Sequence, residues 1–427
     1  MNLSNEIDLG EKILDSQEKQ KNFLSIMYSY KDKRDKLISE EEKVLLKAEL
    51  KKIKEFSIEN IISLKKETLK KLGENGVTII EVKNEIDAEK ELRKIIGNEK
   101  LIVKSKSNTA NEIKLNEMLK DLDLIETDLG DFLIQLCEQD ELHPVLPALH
   151  LTPQHIVSVI KNKLGVNIEP DPQKIVEFVR NHLREKIFEA KIGITGANFI
   201  SADGSIIILE NEGNISLVSR IPQKHIIISS FDKIVPTRED ALKLVKAASV
   251  FGTGQDYPMY VNIISGPSKT ADIQNKLITG AQGAKQVFLI LLDNGREKIL
   301  NSQFKELLHC INCGACLNFC PVFHQIFGRY GSKTFLGAKG VLYSFFNESK
   351  KDSFHNGAFF CTTCKTCKEN CPLDIDLSDL IKKLRIELVK AGIEPKPNKE
   401  MIENVRKYGN PFGKIEKGKT PDKMYCC

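Results

Sequence analysis

The chain has 427 residues, enough for two or three domains, each with its own core. Its 63 basic and 59 acidic residues leave a formal net charge of +4, and Trp is absent, so neither the basic patch nor the stacking surface of a nucleic-acid binder is on offer. Apolar runs such as Val287–Leu292 are too short to span a bilayer, and Met1–Asp15 lacks the charged-then-apolar layout of a signal peptide; a cytoplasmic chain is expected.

Residues 1–75 are rich in Lys and Glu, with Leu45, Leu46, Leu50, Ile53 and Phe56 near helical spacing. They predict an N-terminal helical region packed on the α/β domain C-terminal to it, ended by Gly73 and the Asn75-Gly76 pair. From residue 76 the rhythm changes. Val77–Val82, Leu101–Val103 and Leu124–Thr127 read as short buried strands between helices at Asp87–Ile96 and Asn111–Leu122. Strands alternating with helices predict an α/β layer structure around a mostly parallel sheet. Helices follow at Thr152–Lys163 and Asp171–Lys191, each opened by a capping side chain with proline next. Ile192–Thr195, Ser205–Leu209, Ile215–Arg220 and His225–Ser229 read as strands, with Ala202-Asp203-Gly204 as a turn. Thr237 and Asp240 open a further helix. Strands at Tyr260–Ser265 and Val287–Leu292 complete an α/β domain over residues 76–300.

The next region holds eight of the eleven cysteines, in two copies of one pattern. Cys310, Cys313, Cys316 and Cys320 precede Pro321; Cys361, Cys364, Cys367 and Cys371 precede Pro372. This C-x2-C-x2-C-x3-C-P run holds cubane iron–sulfur clusters, three thiolates reaching one cube and the fourth ligating the other. Cluster I is therefore expected on Cys310, Cys313, Cys316 and Cys371, and cluster II on Cys361, Cys364, Cys367 and Cys320. Structural zinc also uses C-x2-C pairs, but has no need of the third cysteine, the fourth at +4 or the proline. Two 4Fe–4S clusters so placed would pass single electrons. Lys365 and Lys368 lie in the second loop, with Lys382, Lys383 and Arg385 beyond. Cations favour the more anionic reduced cube, so cluster II is expected at higher potential than cluster I, whose loop holds Ile311, Asn312, Gly314 and Ala315. The forty residues between Cys320 and Cys361, and predicted helices at Val341–Asn347 and Asp376–Lys390, point to an all-α dicluster domain over 301–395. Residues 396–427, with Pro397, Pro411, Pro421 and the terminal Cys426 and Cys427, read as an irregular tail.

Other candidates are weaker. Lys104 and Lys106 follow a predicted strand, where a parallel sheet binds ligands, and could hold a carboxylate or form a solvated edge. Thr195, Gly196 and Asn198 belong to a glycine-containing turn whose N–H groups could face an anion, or to a plain tight turn. Glu212 and Asn214 sit in a segment equally suited to a hairpin. His143, His150 and His155 have spacings that fit no metal-binding helix face, and Cys137 reads as a core thiol. No flavin or nicotinamide fingerprint occurs, so no catalytic residue is assigned.

The chain resembles the lactate-utilisation iron–sulfur subunit family, LutB. The resemblance runs from about residue 95 to 385, through Lys104-Ser-Lys-Ser107, Glu126-Thr-Asp-Leu-Gly130, Pro147-Ala-Leu-His150, Gly193-Ile-Thr-Gly-Ala-Asn-Phe199, Asn211-Glu-Gly-Asn214, Asp293-Asn-Gly-Arg296 and both cysteine runs. It implies a LUD domain of NagB/RpiA/CoA-transferase-like α/β fold, followed by the dicluster domain. It also implies sister subunits with which the chain oxidises L-lactate to pyruvate, a small 2-hydroxy acid being bound by the complex. The chain departs from the family at Asn108, where Met is usual, and in Gly328-Arg-Tyr-Gly331 and Gly337-Ala-Lys-Gly340, which replace a longer segment. Its Tyr408-Gly-Asn-Pro-Phe-Gly413 tail is closer to heterodisulfide-reductase-type subunits. An electron carrier for another 2-hydroxy acid, glycerol phosphate or a heterodisulfide therefore stays open, as does a redox-sensing LUD module.

Overall fold

A computed structural model describes residues 17–139, 148, 151–415 and 420–421. Three helices, Gln17–Leu37, Glu40–Glu59 and Ile61–Glu74, lead into the sheet. The second begins at a capping box in which Ser39 and Glu42 satisfy each other's backbone N–H groups. It buries Leu50, Ile53 and Ile58, whereas Leu45 and Phe56, counted in the predicted stripe, face solvent.

The central sheet has six strands: β1 (Val77–Val82), β2 (Leu101–Lys104), β3 (Asp123–Glu126), β4 (Ile192–Gly196), β5 (Lys224–Ser230) and β6 (Gln286–Leu292). Their order is β1-β6-β5-β4-β2-β3, and every pairing is parallel. Such a sheet is covered on both faces, which explains the unbroken run Ile226, Ile227 and Ile228 in β5, all fully buried. One face packs on Ala88, Leu92, Ile96 and Ile113; Leu289 and Leu291 of β6 join a core that continues into the C-terminal helices. The chain runs rightward from β2 to β3 and leftward from β4 to β5. The crevice between β2 and β4 is thus the switch point of the sheet.

Three readings of local structure change. Ile215–Arg220, expected as a strand, lies in the helix Asn214–Arg220. Gly213, at φ 83°, turns the chain, and the Glu210 carboxylate accepts from the Ser216 N–H at its first turn. Gly193 of β4 admits this helix: a Cβ there would lie 2.0 Å from the Val218 carbonyl oxygen. The helix expected at Asn111–Leu122 is broken in two, Asn108–Glu112 and Leu115–Met118, by Lys114 in the left-handed region. The tail is not irregular throughout, since Lys396–Tyr408 is helical. Its proline lies in the first turn, where it suits the start of a helix, and Gly409 (φ 73°) at the C-cap, where it ends one.

A second sheet, in the order Ile234–Val235, Phe199–Ser201, Ser205–Glu210 and Tyr260–Ile264, packs against the N-terminal helices. Beyond β6 the chain is helical, with Gly337–Asn347 and Leu377–Lys390 as its main elements. The latter buries Leu380, Ile381, Leu384 and Leu388 at helical spacing. No helix among the described residues is long and apolar enough to cross a membrane.

Candidate iron–sulfur centre

The eight motif cysteines gather around two adjoining cavities. The first, of about 680 Å³ including its open mouth, is lined by Cys310, Cys313, Cys316 and Cys371. The second, of about 420 Å³, is lined by Cys320, Cys361, Cys364 and Cys367. Cys316, Leu317 and Leu377 border both. The electrostatic neighbours follow the same division except at Cys316, which borders both cavities and is acted on by Cys367 as well. Cys371 acts on Cys313 and Cys316 and is acted on by Cys310; Cys320 acts on Cys367 and is acted on by Cys361 and Cys364.

Local backbone explains why the loops curl around these spaces. Two residues and four residues after its first cysteine, each loop enters the left-handed region: Asn312 and Gly314 in one, Thr363 and Lys365 in the other. The alternation turns N–H groups inward, as in an anion-binding nest. Asn312 N–H donates to Cys310 Sγ at 3.4 Å, Thr363 N–H to Cys361 Sγ at 3.4 Å and Leu373 N–H to Cys371 Sγ at 3.4 Å. Phe323 N–H reaches Cys320 Sγ at 3.5 Å. Such donors stabilise sulfur that carries negative charge.

The chemistry of the donor set suits a cube better than an ion. Zinc bound by four thiolates sits ~2.3 Å from each sulfur and leaves no space between them. Here each group of four surrounds a void, and among the described residues no cluster of three or more His, Cys, Asp or Glu could hold a single metal ion. Burial, reinforced by neighbouring sulfurs, pushes the thiols of Cys313 and Cys367 up to about 12 and that of Cys371 to about 11. Cys316 is pushed well above the ordinary thiol value for the same reasons. A cationic iron core is what would let such groups ionise together at neutral pH. Cys364 is exposed and differs: some loss of water raises it, but hydrogen bonds from Thr366 and Thr362 bring it below the usual value. Tyr330 lines the second cavity, fully buried, and its hydroxyl has no nitrogen or oxygen partner; the sulfurs of Cys361, Cys320 and Cys367 are its electrostatic neighbours.

The first cavity lies against the carboxyl edge of the parallel sheet. Asn108, four residues beyond β2, helps line it. The Thr334 hydroxyl donates to the Asn111 carbonyl at 3.3 Å. From the helix Arg238–Thr253, Gly252 packs so closely under the first loop that a Cβ would lie 2.5 Å from the Cys313 carbonyl oxygen. The Asn318 side chain donates to the Gly252 carbonyl at 3.1 Å. Around this contact lie residues to which the sequence assigns no role. Arg296 bonds Glu112 through both Nη atoms and Asp232 at 2.7 Å through Nε, all three side chains being buried. Lys54 donates to the Asp232 carbonyl, and Lys339 lines the cavity with its Nζ 4.0 Å from the Phe335 ring centre. No spacing rule joins residues so far apart in the chain.

The predicted ligand residues of the α/β domain fall into separate settings. Lys104 is 1% exposed and paired with Glu126 at 2.5 Å, so its charge is met inside the protein. The Thr195 hydroxyl lies 2.8 Å from His225 Nε2 in the core. Gly196 borders Ser107 at the switch point, where a Cβ would lie 2.5 Å from Ser107 Oγ. Asn198 accepts from the Leu209 N–H, a strand-end contact. The other three converge. Lys106 pairs with Asp131 at 3.0 Å, Glu212 accepts from the Leu129 N–H at 3.0 Å, and Asn214 donates to the Thr127 hydroxyl at 3.2 Å. Glu212 is exposed as a residue, yet loss of water around its carboxyl, then the charge of Asp128, pushes it up to about 7. Cys137 is buried, and burial raises its thiol. His155 is exposed; His143, His150, Cys426 and Cys427 lie outside the described residues.

Comparison with known proteins accords with this architecture. The family described as LUD domain matches residues 65–292, and that described as 4Fe-4S dicluster domain matches 306–375. Lactate utilization protein B of Bacillus cytotoxicus is 33% identical over 349 residues, covering 80% of this chain and 72% of that protein. The protein of the same name from Macrococcus caseolyticus is 35% identical over 297 residues, covering 69% and 60%. A solved DUF162 family protein from Deinococcus radiodurans aligns with 55% of this chain and 98% of its own at 11% identity, with a TM-score of 0.29, too low to bear on the fold. With a LUD domain of parallel α/β architecture leading into a helical region that bears a 4Fe-4S dicluster domain, this chain belongs to the lactate utilization protein B family.

Proposed function

We propose that the chain is the electron-transfer subunit of a cytoplasmic complex oxidising L-lactate to pyruvate. Cys310, Cys313, Cys316 and Cys371 would hold one 4Fe–4S cluster, and Cys320, Cys361, Cys364 and Cys367 a second. The observation that carries this reading is the pair of adjoining cavities, each walled by three cysteines of one motif and the fourth of the other. Bound there, the clusters supply one-electron transfer. The chain's own residues hold thiolate charge with N–H donors and leave Cys364, at the second cavity, exposed. That arrangement suits a path between the α/β domain and a sister subunit. Removal of two electrons from a 2-hydroxy acid would take place in a sister subunit or at the carboxyl edge of the sheet, and the electrons would pass on singly.

The test is anaerobic co-expression with sister subunits. About eight iron and eight sulfide per chain are expected, with lactate, rather than glycolate or glycerol 3-phosphate, reducing the clusters. Cys371→Ser should disturb the spectroscopic signal that Cys310→Ser disturbs, and Cys320→Ser the one that Cys361→Ser disturbs. Colourless or zinc-loaded protein would end the cluster reading; clusters reduced only by another donor would end the lactate reading.

A further inference from the structure

Beneath the first cavity lies an unbalanced knot of buried charge. Among the described residues, Lys54 (1% exposed), Lys233 (4%), Lys339 (7%) and Arg296 (2%) face only two carboxylates, Glu112 (7%) and Asp232 (2%). Arg296 engages both of these acids. Among the described residues none of the three lysines has a salt bridge; Lys54 donates to a backbone carbonyl, and Lys339 rests on the rings of Phe335 and Tyr343 at 4.0 and 5.1 Å. Two positive charges are thus left over in the interior, where an uncompensated charge is costly. They lie on the side of the Cys310 cavity: Lys339 lines it, while Lys54 and Lys233, both lowered by burial, have Asp232 and the Cys310 sulfur among their electrostatic neighbours. A cube with four thiolates carries roughly two negative charges when oxidised and one more when reduced. It is the counter-charge the knot lacks.

The second cavity has no comparable excess among the described residues. Lys365 and Lys382 are exposed, Lys368 pairs with Asp376 at 3.7 Å and Lys383 with Asp379 at 2.9 Å. Arg385 is half-buried and donates to the Ala358 and Cys361 carbonyls. Water and salt screen exposed charges but hardly touch buried ones. Burial therefore argues for the opposite order of potentials to the one expected from the loop lysines.

We propose that Lys54, Lys233 and Lys339 make the cluster held by Cys310, Cys313, Cys316 and Cys371 the higher-potential one, so that a single electron rests beside the parallel sheet. This rests on the two-cluster reading above. The lysines come from the N-terminal helices, the loop after β5 and the dicluster region, so the potential depends on all three parts being docked. They are positioning residues, acting on the electron's energy rather than on substrate. An electron arriving from outside would cross the second cluster, which is left oxidised, and reduce the first.

The test is a redox titration of the anaerobic full-length holoprotein followed by electron paramagnetic resonance, with iron and sulfide counted in every sample. Lys339→Gln should make reduction of the higher-potential cluster about tenfold less favourable, a fall of about 59 mV for a one-electron couple, and leave the lower one in place. Lys339→Arg should restore the parent value. Lys233→Gln, which does not line the cavity, should shift the same cluster in the same direction and gives the readout should Lys339→Gln lose iron. A full iron count with the lower-potential cluster shifted, or with neither shifted, overturns this proposal alone. A parent protein without two clusters overturns the earlier reading instead.

Discussion

Arg296→Met tests whether the buried charges join the α/β domain to the dicluster region. Arg296 opens the short helix after β6, 2% exposed, with Glu112 on two Nη atoms, Asp232 at 2.7 Å and the Asp293 carbonyl at 3.1 Å. Its guanidinium also lies 5.5 Å from the ring centre of Tyr343, in the helix Gly337–Asn347. Methionine keeps much of the length and loses the charge. Removing one partner of a buried ion pair costs about 3–5 kcal/mol, because the other charge is stranded. Glu112 would bear that penalty, whereas Asp232 keeps Lys54 and Lys233 as charged neighbours. Loss of the ring contact adds ~1 kcal/mol, so a destabilisation of about 4–6 kcal/mol is expected. The assay is guanidinium unfolding under anaerobic conditions, followed by circular dichroism. Adding Glu112→Leu removes the stranded carboxylate and should recover at least half of the loss. A single variant costing under ~1 kcal/mol, or a double variant no better than the single, refutes the reasoning. The pH dependence gives a second check. Burial alone would raise the Asp232 carboxyl, but Arg296, then Lys233 and Lys54, hold it well below the usual range. A depressed carboxylate contributes stability above its unfolded pKa of ~3.9, and that stability is lost as pH falls further. The parent should therefore lose more stability than Arg296→Met on acidification below about pH 4.

Two further outcomes are expected. His225 is fully buried against Thr195, and burial pushes its imidazole down to about 3, so the native state stays unprotonated where the unfolded chain takes up a proton. Its contribution is present above pH ~6.5 and lost on acidification at up to ~1.4 kcal/mol per unit, so His225→Asn should flatten denaturant midpoints between about pH 6.5 and 4; equal slopes would refute this. Gly252→Ala places a methyl 2.5 Å from the Cys313 carbonyl, a backbone atom that cannot swing away. Iron should fall from about eight to about four per chain with the far-ultraviolet spectrum retained, and a full count would show that the loop does not depend on this helix.

What could be read from the chain is what neighbours in sequence decide. The spacing of Cys310, Cys313 and Cys316, and of Cys361, Cys364 and Cys367, is local, so the dicluster character shows without a fold. The alternation from Val77 onward exposed the parallel sheet for the same reason. Ile215–Arg220 misled because its apolar residues fit a strand as well as a helix, and the anchoring Glu210 and the gap at Gly193 belong to other strands. The tail misled because prolines and glycines mark helix ends as often as loops.

Short-range pattern thus determined the family, the α/β layers and the sulfur-rich region, since each rests on periodicities or spacings of a few residues. Tertiary structure alone decided that the carboxyl edge of the sheet meets the first cysteine cavity, and that Lys54, Lys233 and Lys339 lie buried beside it. The reason is physical. A charge acts through space according to distance and burial, and neither is written in the order of residues.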